Sequence, residues 1–154
     1  MNIFNTLGCL ALAMSLSGPA QAQSMVASPN AASAALGECL VGSTTGNDRT
    51  LVARWMASSM ASSPRMKGLV SVDTAAKEKI DREMAALFTR LMADDCADEA
   101  SVVIKARDQQ GMQAAGGRLG EIAMQELMMD PITVQAMLAY VQHIDPAALA
   151  LLGQ

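Results

Sequence analysis

The sequence predicts an all-α, single-domain bundle of about six short helices that carries one disulfide. Apolar residues make up 51% of the chain, yet only 3% of it is aromatic. Ala, Leu and Met are abundant instead, and these residues favour helices, whereas β-branched and aromatic residues favour strands. Apolar side chains also recur three and four residues apart, which is the period of a helix with one buried face.

The first 22 residues have the pattern of a cleaved export signal. They contain no charged side chain, and the apolar run from Ile3 to Leu16 is shorter than the about 20 residues that span a bilayer. A helix-breaking Gly18-Pro19 step and an Ala20-Gln21-Ala22 cleavage motif follow. No Lys or Arg lies near the start, so an uncleaved anchor is the alternative. Cys9 lies too early in the apolar run to be a lipoprotein cysteine.

We therefore predict a signal peptide at residues 1–22 and a single helical domain at residues 23–154, of which residues 23–29 form a disordered leader. About 130 residues is an ordinary length for one domain. The predicted location is the periplasm of a Gram-negative cell, with secretion as the second choice. No stable membrane insertion is expected after cleavage.

Removing the signal removes Cys9 and leaves Cys39 and Cys96. An even number of cysteines in an exported protein indicates a disulfide, and two cysteines allow one intramolecular pairing. The alternatives are a reversible redox pair, free thiols or bonds between chains. A redox pair is disfavoured because the Cys-x-x-Cys motif is absent.

Turn and capping residues divide the mature chain into helices. We expect helices over 31–41, over 48–63 with Asp48 as the N-cap, over 74–93 with Asp73 or Ser71 as the cap, and over 98–109. The run Val102-Val103-Ile104 leaves a strand open as an alternative in the last of these. The 74–93 segment has the clearest apolar stripe, so we expect the bundle to form around it.

Three further helices are predicted near the end of the chain. One covers 112–129, where Gly116, Gly117 and Gly120 indicate a close helix crossing or a kink. Two Asp-Pro steps then place a cap before a proline at the first helical position. These steps open a helix over 132–144 and a last turn over 147–152. The apolar residues of the first are expected to face the core: Val134, Met137, Leu138 and Val141.

The net charge of −4 makes nucleic acid a poor partner. The charge is uneven along the chain. Residues 48–67 hold four basic side chains and one acid, whereas every charged residue after Arg118 is acidic. The protein is therefore predicted to be dipolar, with an unknown protein or a small anionic ligand as its partner.

No residue set predicts catalysis, a metal or a cofactor. His143 is the single histidine, and its position near a helix end suits a surface or capping role. The acidic group at 94–99 lacks the glycine-containing loop of an EF-hand and suits a solvated helix start. The methionine pairs Met56/Met60 and Met124/Met128 could bind Cu(I), but their helical spacing favours core packing.

The most specific polar segment lies between residues 43 and 55. Hydroxyls, a glycine turn, a helix N-terminus and two arginines are groups that bind anions, although the spacing of a phosphate loop is absent. The alternative is a capped turn between helices with a buried tryptophan. The candidate ligand-binding or partner-binding residues are Thr44, Thr45, Asn47, Asp48, Arg49, Arg54 and Trp55.

The chain resembles a group of small exported proteobacterial proteins. The resemblance rests on segments at 39–49, 53–55, 87–96 and 124–131, which include Cys39, the Ala53-Arg54-Trp55 step, Asp95-Cys96 and Asp130-Pro131. It implies a periplasmic protein with a Cys39–Cys96 bridge, and it implies no activity.

Three functions remain open from the sequence. The favoured one is a non-enzymatic binding or accessory protein, because the chain is small, unevenly charged and without a catalytic set. A stress-protective or chaperone-like protein and a hydrolase-type enzyme that uses the 43–55 region are the alternatives.

Overall fold

In a computed structural model that describes residues 30–147, six α-helices follow one another with no strand among them. Short 3₁₀-helices cover Pro64–Met66 and Ala139–His143, and a π-helical turn covers Leu91–Asp95. The all-α prediction is confirmed. The predicted signal peptide, the predicted leader and all but the first residue of the predicted last turn lie outside the described residues. The helices are α1 (Ala31–Gly42), α2 (Gly46–Ala61), α3 (Thr74–Arg90), α4 (Ala97–Lys105), α5 (Gln109–Met128) and α6 (Pro131–Leu138).

Side chains at the helix starts fix most of these boundaries. Asn30, Asp73, Asp108 and Asp130 each accept a hydrogen bond from the backbone N–H three residues later, which satisfies one of the free donors of the first turn. The predicted caps at Asp73 and Asp130 are therefore confirmed. The predicted cap at Asp48 is wrong by three residues, because Thr45 is the N-cap of α2 and Asp48 lies inside its first turn.

Helix α5 lies at the centre of the bundle, where it packs against α1, α2 and α4. The expectation of a bundle built around the 74–93 segment is wrong, because α3 buries only Ile80 and Leu87 and packs mainly on α2. The core is made of small and aliphatic side chains: Leu36, Leu40, Val52, Ala53, Leu87, Leu91, Cys96, Ala100, Val103, Ala115, Leu119 and Ala123. Small residues on α5 allow its neighbours to approach closely.

Two glycines mark close helix contacts, and two others do not. A Cβ on Gly37 of α1 would lie 3.2 Å from the Cβ of Arg118, and a Cβ on Gly120 would lie 3.3 Å from the sulfur of Met56 on α2. The expected close crossing is therefore confirmed at Gly120. Gly116 and Gly117 face open space, with no atom within 4 Å of an added Cβ.

The predicted disulfide joins Cys39 of α1 to Cys96, which follows the π-helical turn. In that turn the N–H of Cys96 donates to the carbonyl of Leu91, five residues earlier. Because this turn holds an extra residue, the regular helix predicted over 74–93 ends at Arg90. The same turn brings the buried Cys96 against α1. A bond of this kind fits an oxidising compartment outside the cytoplasm.

Two further predictions are resolved by the later helices. The segment with the β-branched run is helix α4, which buries Val103 and exposes Val102 and Ile104, so the strand alternative is wrong. The expected inward face of the 132–144 segment is also wrong, since α6 buries no residue at all.

Candidate functional site

Thr45 and Asp48 form a capping box at the start of α2. The Thr45 hydroxyl accepts from the N–H of Asp48 at 3.2 Å, and the Asp48 carboxylate accepts from the N–H of Thr45 at 2.9 Å. Thr44 is buried just before this box, where its hydroxyl donates to the carbonyl of Val41 at 2.8 Å. The predicted hydroxyl groups therefore serve the connection between α1 and α2.

Asp48 also links α2 to α3. Arg90 donates to its carboxylate at 3.0 Å and to the carboxylate of Asp95 at 2.7 Å. The pKa of Asp48 is lowered from 3.8, first by the hydrogen bond from the Thr45 backbone and then by the Thr45 hydroxyl and Arg90, against an opposing effect of burial. Asp48 thus supplies a negative charge to the N-terminus of α2.

The guanidinium of Arg49 also makes two hydrogen bonds within the fold. Its Nε donates to Glu126 of α5 at 2.5 Å, and one terminal nitrogen donates to the carbonyl of Thr44 at 2.7 Å. An external anion at the start of α2 would have to displace Asp48 from the capping box and Glu126 from Arg49. The structure brings four of the candidate residues together, and each of them makes hydrogen bonds within the fold: Thr44, Thr45, Asp48 and Arg49.

The remaining candidate residues take no part in the hydrogen bonds of this cluster. Asn47 and Arg54 are exposed, and Trp55 is 36% exposed rather than buried as the alternative interpretation required. Within residues 30–147, Arg54 has no carboxylate within 4 Å, unlike Arg49 and Arg90. An anionic group would therefore bind more readily to the guanidinium of Arg54 than to the arginine at the start of α2.

Arg54 borders a groove between α2 and α5, which we call the α2–α5 groove. Its volume is about 400 Å³, and its lining combines three alanines and a leucine with four polar or charged side chains. The lining residues are Thr50, Ala53, Arg54, Ala57, Ala123, Glu126, Leu127 and Asp130. Arg54 was predicted from the sequence, but the residues that α5 contributes to the groove were not, because they are distant from Arg54 in the chain.

A second feature lies beyond the groove, in residues 131–144, which we call the apolar arm. The arm comprises α6, the following 3₁₀-helix and Ile144, and it makes few contacts with the rest of the bundle. Ile132 is 76% exposed, Leu138 is 55% exposed and Tyr140 is 63% exposed. Its further exposed apolar side chains are Val134, Met137, Val141 and Ile144. The arm contains no Asp, Glu, Lys or Arg.

The sequence contains a signal for this exposed arm in the distribution of its apolar residues. Apolar residues occur on every side of α6, and a helix that is apolar all round has no polar face to turn to water. Such a segment favours burial, but its apolar pattern does not show whether the covering surface belongs to the same chain.

Metal-ligand clusters and candidate nucleophile–base pairs were sought among the residues that the structure describes. Within 30–147 no three His, Cys, Asp or Glu side chains cluster as metal ligands would, and the acidic group at 94–99 includes Asp95 bound to Arg90. His143 is exposed at the end of the 3₁₀-helix. Met56 packs against the core, whereas Met60 and Met128 are exposed.

Comparison with protein-family models, with curated proteins and with solved structures finds no match to this chain. Among residues 30–147, no helix has both the length and the apolar character needed to cross a bilayer.

Proposed function

We propose that this chain is an exported, non-enzymatic accessory protein that binds a protein partner through the apolar arm. One observation carries the proposal: residues 131–144 expose seven large apolar side chains, bury none and carry no charged Asp, Glu, Lys or Arg. A contiguous exposed apolar surface of this kind marks interaction sites in proteins. An apolar helix that docks into a groove is a recurring mode of recognition.

The charges beside the arm favour a protein over an anionic membrane. Every charged side chain after Arg118 is acidic, and Asp130 and Asp145 flank the arm directly. Anionic lipid headgroups would repel these carboxylates, whereas membrane-surface helices carry Lys and Arg on the polar face. The expected partner therefore offers an apolar groove with basic side chains at its edge.

The export pattern at residues 1–22 and the disulfide support a periplasmic location for this function. The intact mass of protein purified from the periplasm of a Gram-negative host tests it. We expect cleavage after Ala22 and a mass two hydrogens below that of the reduced chain. An uncleaved or reduced protein would contradict export.

Photo-crosslinking in cells tests the binding role. A photoreactive amino acid is placed at Leu138 in the arm and, as the matched control, at Val102 on α4, which has a similar exposure of 53%. We expect one discrete crosslinked product from Leu138 and none from Val102. The paired change Met137→Gln and Leu138→Gln should weaken stoichiometric binding, whereas Val102→Gln with Ile104→Gln should not.

The same experiment distinguishes binding of one partner from the chaperone-like alternative, which the exposed arm also favours. A protein that protects unfolded chains would give many crosslinked products from Leu138, and their number would rise on heating. Equal crosslinking from Leu138 and Val102, or no product from either, would contradict both functions of the arm.

A further inference from the structure

We propose that Met129 and Met137 are oxidation sites that control the apolar arm, so that conversion of their thioethers to sulfoxides releases the bound partner. The inference rests on the proposed function and names a regulation of the same surface. Three observations support it: the exposure of the methionines, the pairing of the cysteines and the chemistry of the thioether group.

The methionines of the bundle form two groups that differ in exposure. Within residues 30–147 six methionines are half-buried, and four of these pack against the core: Met56, Met84, Met92 and Met112. The other methionines of this range are exposed: Met60, Met128, Met129 and Met137. Most of the exposed thioethers therefore lie between residues 128 and 137, where α5 ends and the arm begins.

Met129 and Met137 are both accessible in the folded protein. Met129 is 65% exposed and Met137 is 53% exposed. Met129 is the C-cap of α5 and directly precedes the Asp130 cap of α6, so it extends the exposed apolar surface at the start of the arm. Met137 lies in α6 next to Leu138, inside the proposed binding surface. An oxidant can therefore reach both thioethers without unfolding the chain.

The cysteines of the described residues do not compete for the oxidant. Susceptibility of cysteine to oxidation depends on the free thiolate, and Cys39 and Cys96 are already joined in a disulfide. Within residues 30–147 the exposed thioethers are therefore the groups most readily oxidised by two electrons. The disulfide also fits an oxidising compartment.

Hydrogen peroxide is the oxidant that we assign to this step. One peroxide oxygen transfers to the methionine sulfur, so that the O–O bond breaks, an S–O bond forms and water leaves with both hydrogens. The sulfur loses two electrons and the peroxide gains them. The product is a polar sulfoxide, and this change disrupts interfaces that use methionine. A sulfoxide buried in an apolar groove without a hydrogen-bond donor costs free energy, so the arm should bind its partner less tightly.

Peptide mass spectrometry of the purified, disulfide-bonded protein after graded treatment with hydrogen peroxide tests the sites. We expect sulfoxide at Met129 and Met137 before it forms at Met56, which packs against the core. Met60, which is 52% exposed in the last turn of α2 and lies outside the arm, is the matched control and should be oxidised at a similar rate. Oxidation of Met129 and Met137 that is no faster than that of Met56 would overturn the inference.

Photo-crosslinking from Leu138 in cells tests the release. For each protein the yield of crosslinked product after peroxide is divided by the yield before it, so that differences in binding without oxidant cancel. We expect this ratio to fall by about tenfold or more when the arm keeps its methionines. It should stay near one for the double variant Met129→Leu with Met137→Leu, which keeps apolar side chains but has no thioether there. The ratio for Met60→Leu should fall as it does for the unsubstituted chain.

The outcomes distinguish this inference from the proposed function. The absence of any product from Leu138 before oxidation would contradict the proposed function, and the inference with it. A discrete product that persists after Met129 and Met137 have become sulfoxides would overturn the inference alone and leave the binding role intact. Equal loss of product from the double variant would do the same, because the oxidant would then act elsewhere.

Discussion

At the scale of single residues, Asp48 shows how one side chain can stabilise two contacts at once. It completes the capping box with Thr45 at the start of α2 and accepts a hydrogen bond from Arg90 at the end of α3. The sequence indicated a capping role for Asp48 but not the link to α3. The position of Arg90 against Asp48, 42 residues away, depends on how the two helices pack.

We expect Asp48→Asn to lower the free energy of unfolding by about 1 kcal/mol at neutral pH, a typical value for a negative charge in the first turn of a helix. The pKa of Asp48 is lowered in the folded state, first by the Thr45 backbone N–H. The stabilisation is therefore complete above the ordinary pKa of 3.8 and is lost as the pH falls through the lowered value.

Urea unfolding of the wild type and of Asp48→Asn between pH 7 and pH 2 measures this difference. Asp94→Asn, at an exposed aspartate of the π-helical turn, is the control and should change stability by less than about 0.5 kcal/mol. A difference between the wild type and Asp48→Asn that stays constant down to pH 2 would contradict a stabilising role for the charge on Asp48.

At the scale of the element, α5 combines glycines with opposite roles. Gly111 lies in the first turn, where its N–H donates to the Asp108 carboxylate at 2.7 Å, and an added Cβ would lie only 2.7 Å from the Cγ of Asp108. Gly117 faces open space in the middle of the helix. The same Gly→Ala change should therefore have opposite effects at the two positions.

We expect Gly117→Ala to raise the free energy of unfolding by about 0.5–1 kcal/mol, because alanine loses less backbone entropy on folding than glycine. Gly111→Ala should lower the midpoint of urea unfolding, because the methyl group displaces the Asp108 cap and its hydrogen bond from Asn30. Two variants that shift the midpoint in the same direction would show that the cap at Asp108 does not control the start of α5.

Helix α6 is the element where periodicity failed most clearly. Its capped start at Asp130-Pro131 was evident from residue types alone, since both the carboxylate and the proline ring act locally. The exposure of α6 was not evident from residue types. Its apolar residues indicate that the helix needs a covering surface, but they do not indicate which molecule provides that surface.

At the scale of the whole molecule, the disulfide joins two distant parts of the bundle. Cys39 lies in α1, and Cys96 begins α4 after the π-helical turn, 57 residues later. Near it, Arg90 binds both Asp48 and Asp95, so covalent and ionic links connect α1, α2 and α3 at one end of the bundle. A further ion pair joins α5 to α1, where Arg118 contacts Glu38 at 3.1 Å.

Replacing both cysteines by alanine should lower the free energy of unfolding by about 4 kcal/mol, the value for closing a 57-residue loop in the chain-entropy model. Equilibrium urea unfolding measures this change. The wild type in reductant is the matched comparison, since it loses the bond and keeps the cysteines. A double variant as stable as the oxidised wild type would show that the bond contributes nothing to stability.

The sequence by itself determined the helical class, most helix starts and the cysteine pairing. These properties depend on local preferences, on capping chemistry and on an even count of two cysteines. The export signal and the periplasmic location remain predictions from the same sequence, because they concern residues 1–22, outside the described range.

Only the tertiary structure decided which helix is central, how the 43–55 residues are used and where the arm lies. Arg49 and Arg54 are both arginines of α2, yet one is bound by Glu126 and the other borders an open groove. Their difference depends on which face of α2 meets α5. Such contacts join residues far apart in the chain, and hydrophobic periodicity within one helix carries no information on the identity of its neighbour.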